Sequence, residues 1–207
     1  VAVVRNTPAY RPPVASRRLR TELGLAADQG LVLYQGGFLT DSGLAEQIEA
    51  SSGFGSAVLA LVGSGPSEQL LRQLVRKRGL EDRVRFVPRV PFHQLHEYTC
   101  SADVGLCLFK GRGLSSYYSL PNKLFEYLMA GLPVVGSDSP EIARVVREGP
   151  CGLVVPPTDR DAIAAGVRQL LEDGAGRRAY REAALRLATR YNWEAEAPRL
   201  LELYEDL

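Results

Sequence analysis

The sequence is short of several things, and each shortage closes off a class of explanation. Cysteine occurs only at Cys100, Cys107 and Cys151. With no CxxC spacing they form neither an even disulfide framework nor a thiolate metal site, and read as buried free thiols in a reducing compartment. No apolar run approaches the roughly 20 residues of a membrane-spanning helix, and no signal-peptide pattern is visible. Both readings point to a cytoplasmic protein. Net charge is only +1, without a basic run, so nothing invites a nucleic-acid partner. Histidine is limited to His93 and His96. They stand three apart on a helical stretch with no third ligand in view, and read as surface or capping residues rather than a metal site. Missing too are the Gly-x-Gly-x-x-Gly fingerprint, a Walker loop and a Ser-His-Asp set. Lysine is the scarcest cation: of 25 lysines and arginines, only Lys77, Lys110 and Lys123 are lysine.

What is present is an ordinary globular composition, 207 residues with 45% hydrophobic and 24% charged side chains, enough for one full core. Short apolar strands are expected at Leu31–Gln35, Ala57–Val62, Val84–Val87, Val104–Phe109, Leu132–Val135 and Gly152–Val155. Helical patterns fill the gaps: Ser42–Ser51, Ser67–Arg78, Phe92–Ser101, Pro121–Ala130, Pro140–Glu148, Arg160–Glu172 and Gly176–Thr189. Six strands in βα alternation predict an α/β fold, a doubly wound parallel six-stranded Rossmann-like sheet covered on both faces. Ligands of such sheets lie beyond the carboxyl ends of the strands. The irregular Lys110–Leu120 stretch falls at that edge. The opening VAVVRNTP reads as a strand running into a turn, followed by an extended connector through Pro8, Pro12 and Pro13.

The most informative stretch is SLPNKLFEYLMAGLPVV, Ser119–Val135. At 3.6 residues per turn, Leu124, Phe125, Leu128 and Met129 share one face, and Asn122, Lys123, Glu126 and Tyr127 the other. Pro121 suits the first helical position and Gly131 the end. Lys123 opposes the helix dipole in the first turn, a small cost that a bound anion would reverse. Its near partner, Glu126 at i+3, has the weaker orientation for an ion pair. The Glu126 carboxylate can grip a vicinal diol. An anion holder beside a diol holder suits a sugar nucleotide, whereas a solvated polar face explains the same residues equally well.

The segment resembles the donor-binding motif of GT-B glycosyltransferases of the large retaining, group 1 type. Its Pro-x-Lys-x-x-Glu-Tyr, x-x-Ala-Gly-x-Pro-Val-Val pattern is matched by Pro121, Lys123, Glu126, Tyr127, Ala130, Gly131, Pro133, Val134 and Val135. The similarity runs on through LYQGG (Leu33–Gly37), LVGSGP (Leu61–Pro66) and YNWE (Tyr191–Glu194). It corresponds to the C-terminal, donor-binding half of such enzymes. The resemblance implies transfer of a hexosyl group from a nucleoside diphosphate sugar to an acceptor glycan or lipid-linked sugar, with no metal and no cofactor besides the donor. It implies catalytic roles for Lys123 and Glu126. The donor would contact Gly36, Gly37, Gly63, Arg89 and Val90, and the run Ser119, Leu120, Pro121, Asn122, Lys123 and Glu126. Residues 1–26 then read as a connector from a missing N-terminal domain, 27–190 as the nucleotide-sugar domain and 191–207 as a C-terminal helix. The acceptor site would lie in the missing half, leaving the fragment inactive alone. Any contact with the inner membrane face would come through the full-length protein.

Two departures stand out. The loop after Gly36-Gly37 carries Phe38-Leu39-Thr40-Asp41 where resembling enzymes place a phosphate-neutralising cation, and Asp41 reads as a helix N-cap. Tyr118 stands eight positions before Glu126, where a sugar-binding carboxylate is usual. Lys110 and Arg112 are the nearest substitutes for the missing positive charge. A nucleotide-sugar epimerase half and a degenerate, non-catalytic module are the rival readings.

Overall fold

The structure, a computed structural model, describes residues 3–111 and 113–205. Its elements run α1 (Arg18–Glu22), β1 (Leu31–Gly37), α2 (Leu44–Ala50), β2 (Val58–Ser64), α3 (Glu68–Arg78), β3 (Val84–Val87), α4 (Phe92–Cys100) and β4 (Val104–Cys107). There follow α5 (Leu114–Tyr117), α6 (Asn122–Ala130), β5 (Val134–Ser137), α7 (Pro140–Glu148), β6 (Gly152–Val155), α8 (Arg160–Glu172), α9 (Gly174–Ala188) and α10 (Trp193–Glu205). All six strands are parallel, in the order β3-β2-β1-β4-β5-β6, so the expected doubly wound sheet is present. Alternation sorts the strands onto two cores. Leu31 and Leu33 fall in one apolar cluster, Val32 and Tyr34 in the other, because successive side chains of a strand point to opposite faces. Among the described residues no helix is long and apolar enough to cross a membrane.

The strand order reverses between β1 and β4, and there the sheet splits. β1 pairs with β2 from Leu31↔Val58 to Gly37↔Ser64, but with β4 only at Val32↔Val104 and Leu33↔Gly105. Beyond Leu33 the phenol of Tyr127 on α6 replaces the lost ladder. Its oxygen accepts from the Gln35 amide at 3.2 Å, and its proton faces the carbonyls of Leu33 and Leu106 at 3.3 and 3.4 Å. Gly105 makes room, since a Cβ there would sit 2.6 Å from the ring. Tyr127 is fully buried. Of the polar face expected of α6, Tyr127 is therefore closed against the sheet, while Asn122 stays exposed.

Several boundaries differ from expectation for local reasons. β5 starts at Val134, not Leu132, because the Leu132 amide bonds back to the Tyr127 carbonyl at 2.9 Å and the Gly131 amide to Leu128 at 3.0 Å, closing a Schellman cap. Gly36 and Gly37 are the last residues of β1 rather than a turn after it, and β2 runs on to Ser64. β4 stops at Cys107 instead of Phe109. Helix α2 is capped by Gly43 at φ 61°, not by Asp41, which lies in a preceding 3-10 turn. Helices α1 and α5 arise where extended or irregular chain was expected. The opening strand is not formed: from Val3 to Arg17 the chain has no regular structure, and Val1 and Ala2 lie outside the described residues. Cys107 and Cys151 are buried free thiols, and Cys100 is half-buried and free.

The YNWE motif fastens the two ends of the chain together. Tyr191 stacks on Phe125 at 5.7 Å and donates to Glu148 at 2.5 Å. Asn192 separates α9 from α10, donating to the Ala188 carbonyl and accepting from the Ala195 amide. The Trp193 amide bonds the Pro8 carbonyl, and Glu194 accepts from the Tyr10 amide. Buried Glu196 receives the Arg5 amide at 3.1 Å and its guanidinium at 3.0 Å. Burial pushes the Glu196 carboxyl up, but the two Arg5 hydrogen bonds and the charges of Arg5 and Arg199 outweigh it and hold the group below its ordinary value of 4.5. Its stabilising contribution is thus complete above that value and is lost as pH falls through the lower folded-state value. Glu196→Gln is expected to flatten the acid limb of thermal stability between about pH 5 and pH 3. An unaltered limb in circular-dichroism melts would show that this carboxylate does not govern it.

Candidate functional site

At the carboxyl edge of the sheet, where β1 and β2 meet the first turn of α6, lies a cleft of about 440 Å³. Of the residues expected in a site, it gathers Gly36, Gly37, Gly63, Arg89, Val90, Pro121, Asn122, Lys123 and Glu126 on its wall. Ser119 and Leu120 are not on that wall. The Ser119 hydroxyl is spent on the Ser116 carbonyl at 3.0 Å, and Leu120 packs against the core.

The glycines are what let the two strands end side by side. Gly36 adopts φ 130° and Gly63 φ 149°, conformations open to glycine and strained for other residues. A Cβ on Gly63 would lie 1.9 Å from the Gly36 carbonyl oxygen, and one on Gly36 would lie 3.3 Å from Lys123 Nζ.

Lys123 is only 8% exposed. Its Nζ lies 3.5 Å from the centre of the Tyr34 ring and 5.3 Å from that of Phe109. Tyr34 is held in turn by its hydroxyl, which donates to the Gly37 carbonyl at 2.7 Å. Glu126, poorly oriented for an ion pair, makes none with it, and among the described residues no carboxylate lies within ion-pair distance of Lys123. Aromatic faces stabilise the ammonium without accepting its protons in conventional hydrogen bonds. The first amides of α6 lack intrahelical acceptors by construction and add a positive dipole end at Asn122 and Lys123.

Glu126 is half-buried and engaged differently. Its Oε2 accepts from Gln35 Nε2 at 2.5 Å. Burial pushes its carboxyl above the ordinary glutamate value, with the Gln35 hydrogen bond and the charges of Lys123 and Arg11 pulling the other way. The cleft therefore presents an unpaired cation and a tethered carboxylate on one helix, one turn apart.

Of the expected substitutes for the missing loop cation, Lys110 is not on the cleft wall. It is paired with Glu46 at 2.6 Å, and Arg112 lies outside the described residues. Tyr118 is exposed, edge-on to Tyr117 at 5.0 Å and off the cleft wall. His96 Nε2 donates to the Pro12 carbonyl at 2.8 Å, a structural contact. Sequence reasoning missed Gln35, Val62, Ser64, Phe92 and Leu95, which also line the cleft. Gln35 left a trace, a lone amide ending an apolar strand. Phe92 left none, because an aromatic opening a helix reads as core.

The sequence profile of a family described as glycosyl transferases group 1 matches residues 16–187. The chain belongs to that family. Among curated relatives, it is 31% identical over 208 residues to the lipopolysaccharide core biosynthesis glycosyltransferase LpsD of Rhizobium meliloti (strain 1021), covering 99% of this chain and 57% of that one. It is 33% identical over 153 residues to the GDP-mannose-dependent alpha-(1-6)-phosphatidylinositol monomannoside mannosyltransferase of Mycolicibacterium smegmatis (strain ATCC 700084 / mc(2)155), covering 70% of this chain and 38% of that one. Among solved structures, sucrose-phosphate synthase from Thermosynechococcus elongatus superposes with a TM-score of 0.82 at 29% identity, covering 96% of this chain and 51% of that one. The chain thus spans between 38% and 57% of the length of these three proteins.

Proposed function

We propose that this chain is the donor half of a glycosyltransferase, and that its cleft holds a nucleoside diphosphate sugar. The observation that carries the reading is Lys123: a buried ammonium in a cleft wall, caged by rings, with no carboxylate partner among the described residues. A diphosphate seated against it would also meet the first amides of α6 and the backbone beside Gly36 and Gly63. There Lys123 and the helix dipole stabilise the negative charge that develops on the departing diphosphate, the main electrostatic contribution such a half can make. Glu126, an acceptor when ionised, takes the vicinal hydroxyls of the ribose. Relatives named for glycosyl transfer, one of them GDP-mannose-dependent, support the donor class. Retention of configuration follows the family resemblance. The acceptor, a glycan or lipid-linked sugar, and the groups acting on its hydroxyl belong to a second domain.

Calorimetry on the chain with UDP-glucose, GDP-mannose and ADP-glucose tests this. At least one is expected to bind, without turnover by this chain alone. An intact fold that binds none of the three overturns the reading. Glu126→Gln should weaken binding of the preferred donor by about 10–100-fold, the worth of a hydrogen bond to a charged group. The same change should raise the melting temperature at neutral pH. A carboxyl whose folded value is raised loses stability as pH rises through that value, and the amide removes this cost. Unchanged affinity with raised stability would leave Glu126 without a role in binding.

A further inference from the structure

Gln35 is an amide that is 1% exposed, at the end of an otherwise apolar strand, and neither packing nor the diphosphate seat requires it there. Its backbone satisfies the sheet split through Tyr127, so its side chain is free for another task. That side chain is bonded at both ends. Oε1 accepts from the buried Thr99 hydroxyl on α4 at 2.7 Å, and Nε2 donates to Glu126 Oε2 at 2.5 Å. We propose that Gln35, pinned by Thr99, is a positioning residue: its amide selects the ionised, acceptor-only form of Glu126 and leaves the second carboxylate oxygen for a diol. The inference rests on the donor reading for the diol, but the relay itself does not.

The chemistry follows from which atoms can donate. With Thr99 giving its proton to Oε1, the Gln35 NH2 must face Glu126, and it offers a hydrogen that only an acceptor oxygen can take. A protonated Glu126 carries a hydroxyl of its own, which is served when the amide turns over. Oε1 then accepts from the acid and Nε2 donates to Thr99, whose proton moves to the Leu95 carbonyl, already 2.9 Å away. The protonated acid is served only after that turnover, whereas the bond from Nε2 to an ionised Glu126 is charge-assisted and the stronger of the two. The amide orientation in the structure, Oε1 toward Thr99 and Nε2 toward Glu126, is that of the ionised pattern. Other groups facing Glu126 are Lys123 on its own helix and Arg11 from the N-terminal segment, both of which favour the charged form. His96 on α4 shares a small cavity with Glu126, and Arg89 lines the same cleft.

The test follows the Glu126 carboxyl directly, by carbon-13 NMR of glutamate-labelled protein, with Glu126→Gln identifying the resonance. Gln35→Leu is expected to move the Glu126 midpoint upward, and Thr99→Val to move it the same way by less. His96→Asn as the background takes the neighbouring imidazole out of the titration. An unmoved midpoint in Gln35→Leu overturns the inference. If that variant fails to fold, an unmoved midpoint in Thr99→Val does so. In parallel, binding of UDP-glucose or GDP-mannose by Gln35→Leu should be lost at a higher pH, as the solution is made acid, than binding by the unsubstituted protein, a dependence that Glu126→Gln lacks. Midpoints that move while Glu126→Gln leaves donor affinity untouched would keep the relay and sink the donor reading. Midpoints that stay put while Glu126→Gln abolishes binding would do the reverse.

Discussion

Lys123→Met is expected to weaken nucleotide-sugar binding by at least about 30-fold, roughly 2 kcal/mol, while leaving thermal stability equal or higher. The two halves of that result have separate causes. Removing one partner of a desolvated charge pair typically costs about 2–5 kcal/mol in a complex. In the unliganded protein the ammonium has no counter-charge among the described residues, only the faces of Tyr34 and Phe109. A thioether of similar length keeps the ring contacts and ends the desolvation penalty. Calorimetry with the preferred donor and a thermal melt read the two quantities independently. Unchanged affinity with a lower melting temperature would reassign Lys123 to structure alone.

Gly63→Ala should be the most damaging small substitution in the cleft, with a loss of at least about 3 kcal/mol in denaturant unfolding. The added methyl meets the Gly36 carbonyl oxygen at 1.9 Å, and the φ of 149° is strained for any side chain. Neither strand can move aside cheaply, because β1 is laddered to β2 as far as Gly37↔Ser64 and β2 is buried through Gly63. Gly113→Ala is the matched control: an added Cβ there has open space, and the φ of −134° suits any residue. Equal stability of the two variants would mean that the close approach of β1 and β2 is not a constraint on the fold.

The order of elements was legible because it depends on local pattern. Apolar runs of strand length, amphipathic helical spacing and Gly or Pro at the joints placed all six strands and most helices of the described fold. The position of Lys123 and Glu126 on one helix edge was legible for the same reason. What sits across from them was not. Tyr34 and Phe109 read as core, yet they cage the ammonium. Thr99 and Gln35 are 64 residues apart, and no spacing rule links them. Tyr127 was assigned to a polar face because a helical wheel ranks it by its hydroxyl, whereas the split in the sheet takes both ring and hydroxyl inside. The YNWE segment was legible only as family similarity, and nothing in its spacing showed that it binds the chain ends.

The phenol-plugged divergence of β1 and β4 has a practical corollary for engineering. The Lys123 cleft is walled by strand ends and a helix start locked into the interior, and the chain between β4 and α6 adds to it only Phe109 over the ammonium and Pro121 on the wall, among the described residues. A graft of that stretch from another member of the family that keeps Leu108, Phe109 and Pro121 should therefore leave the cleft and the melting temperature intact.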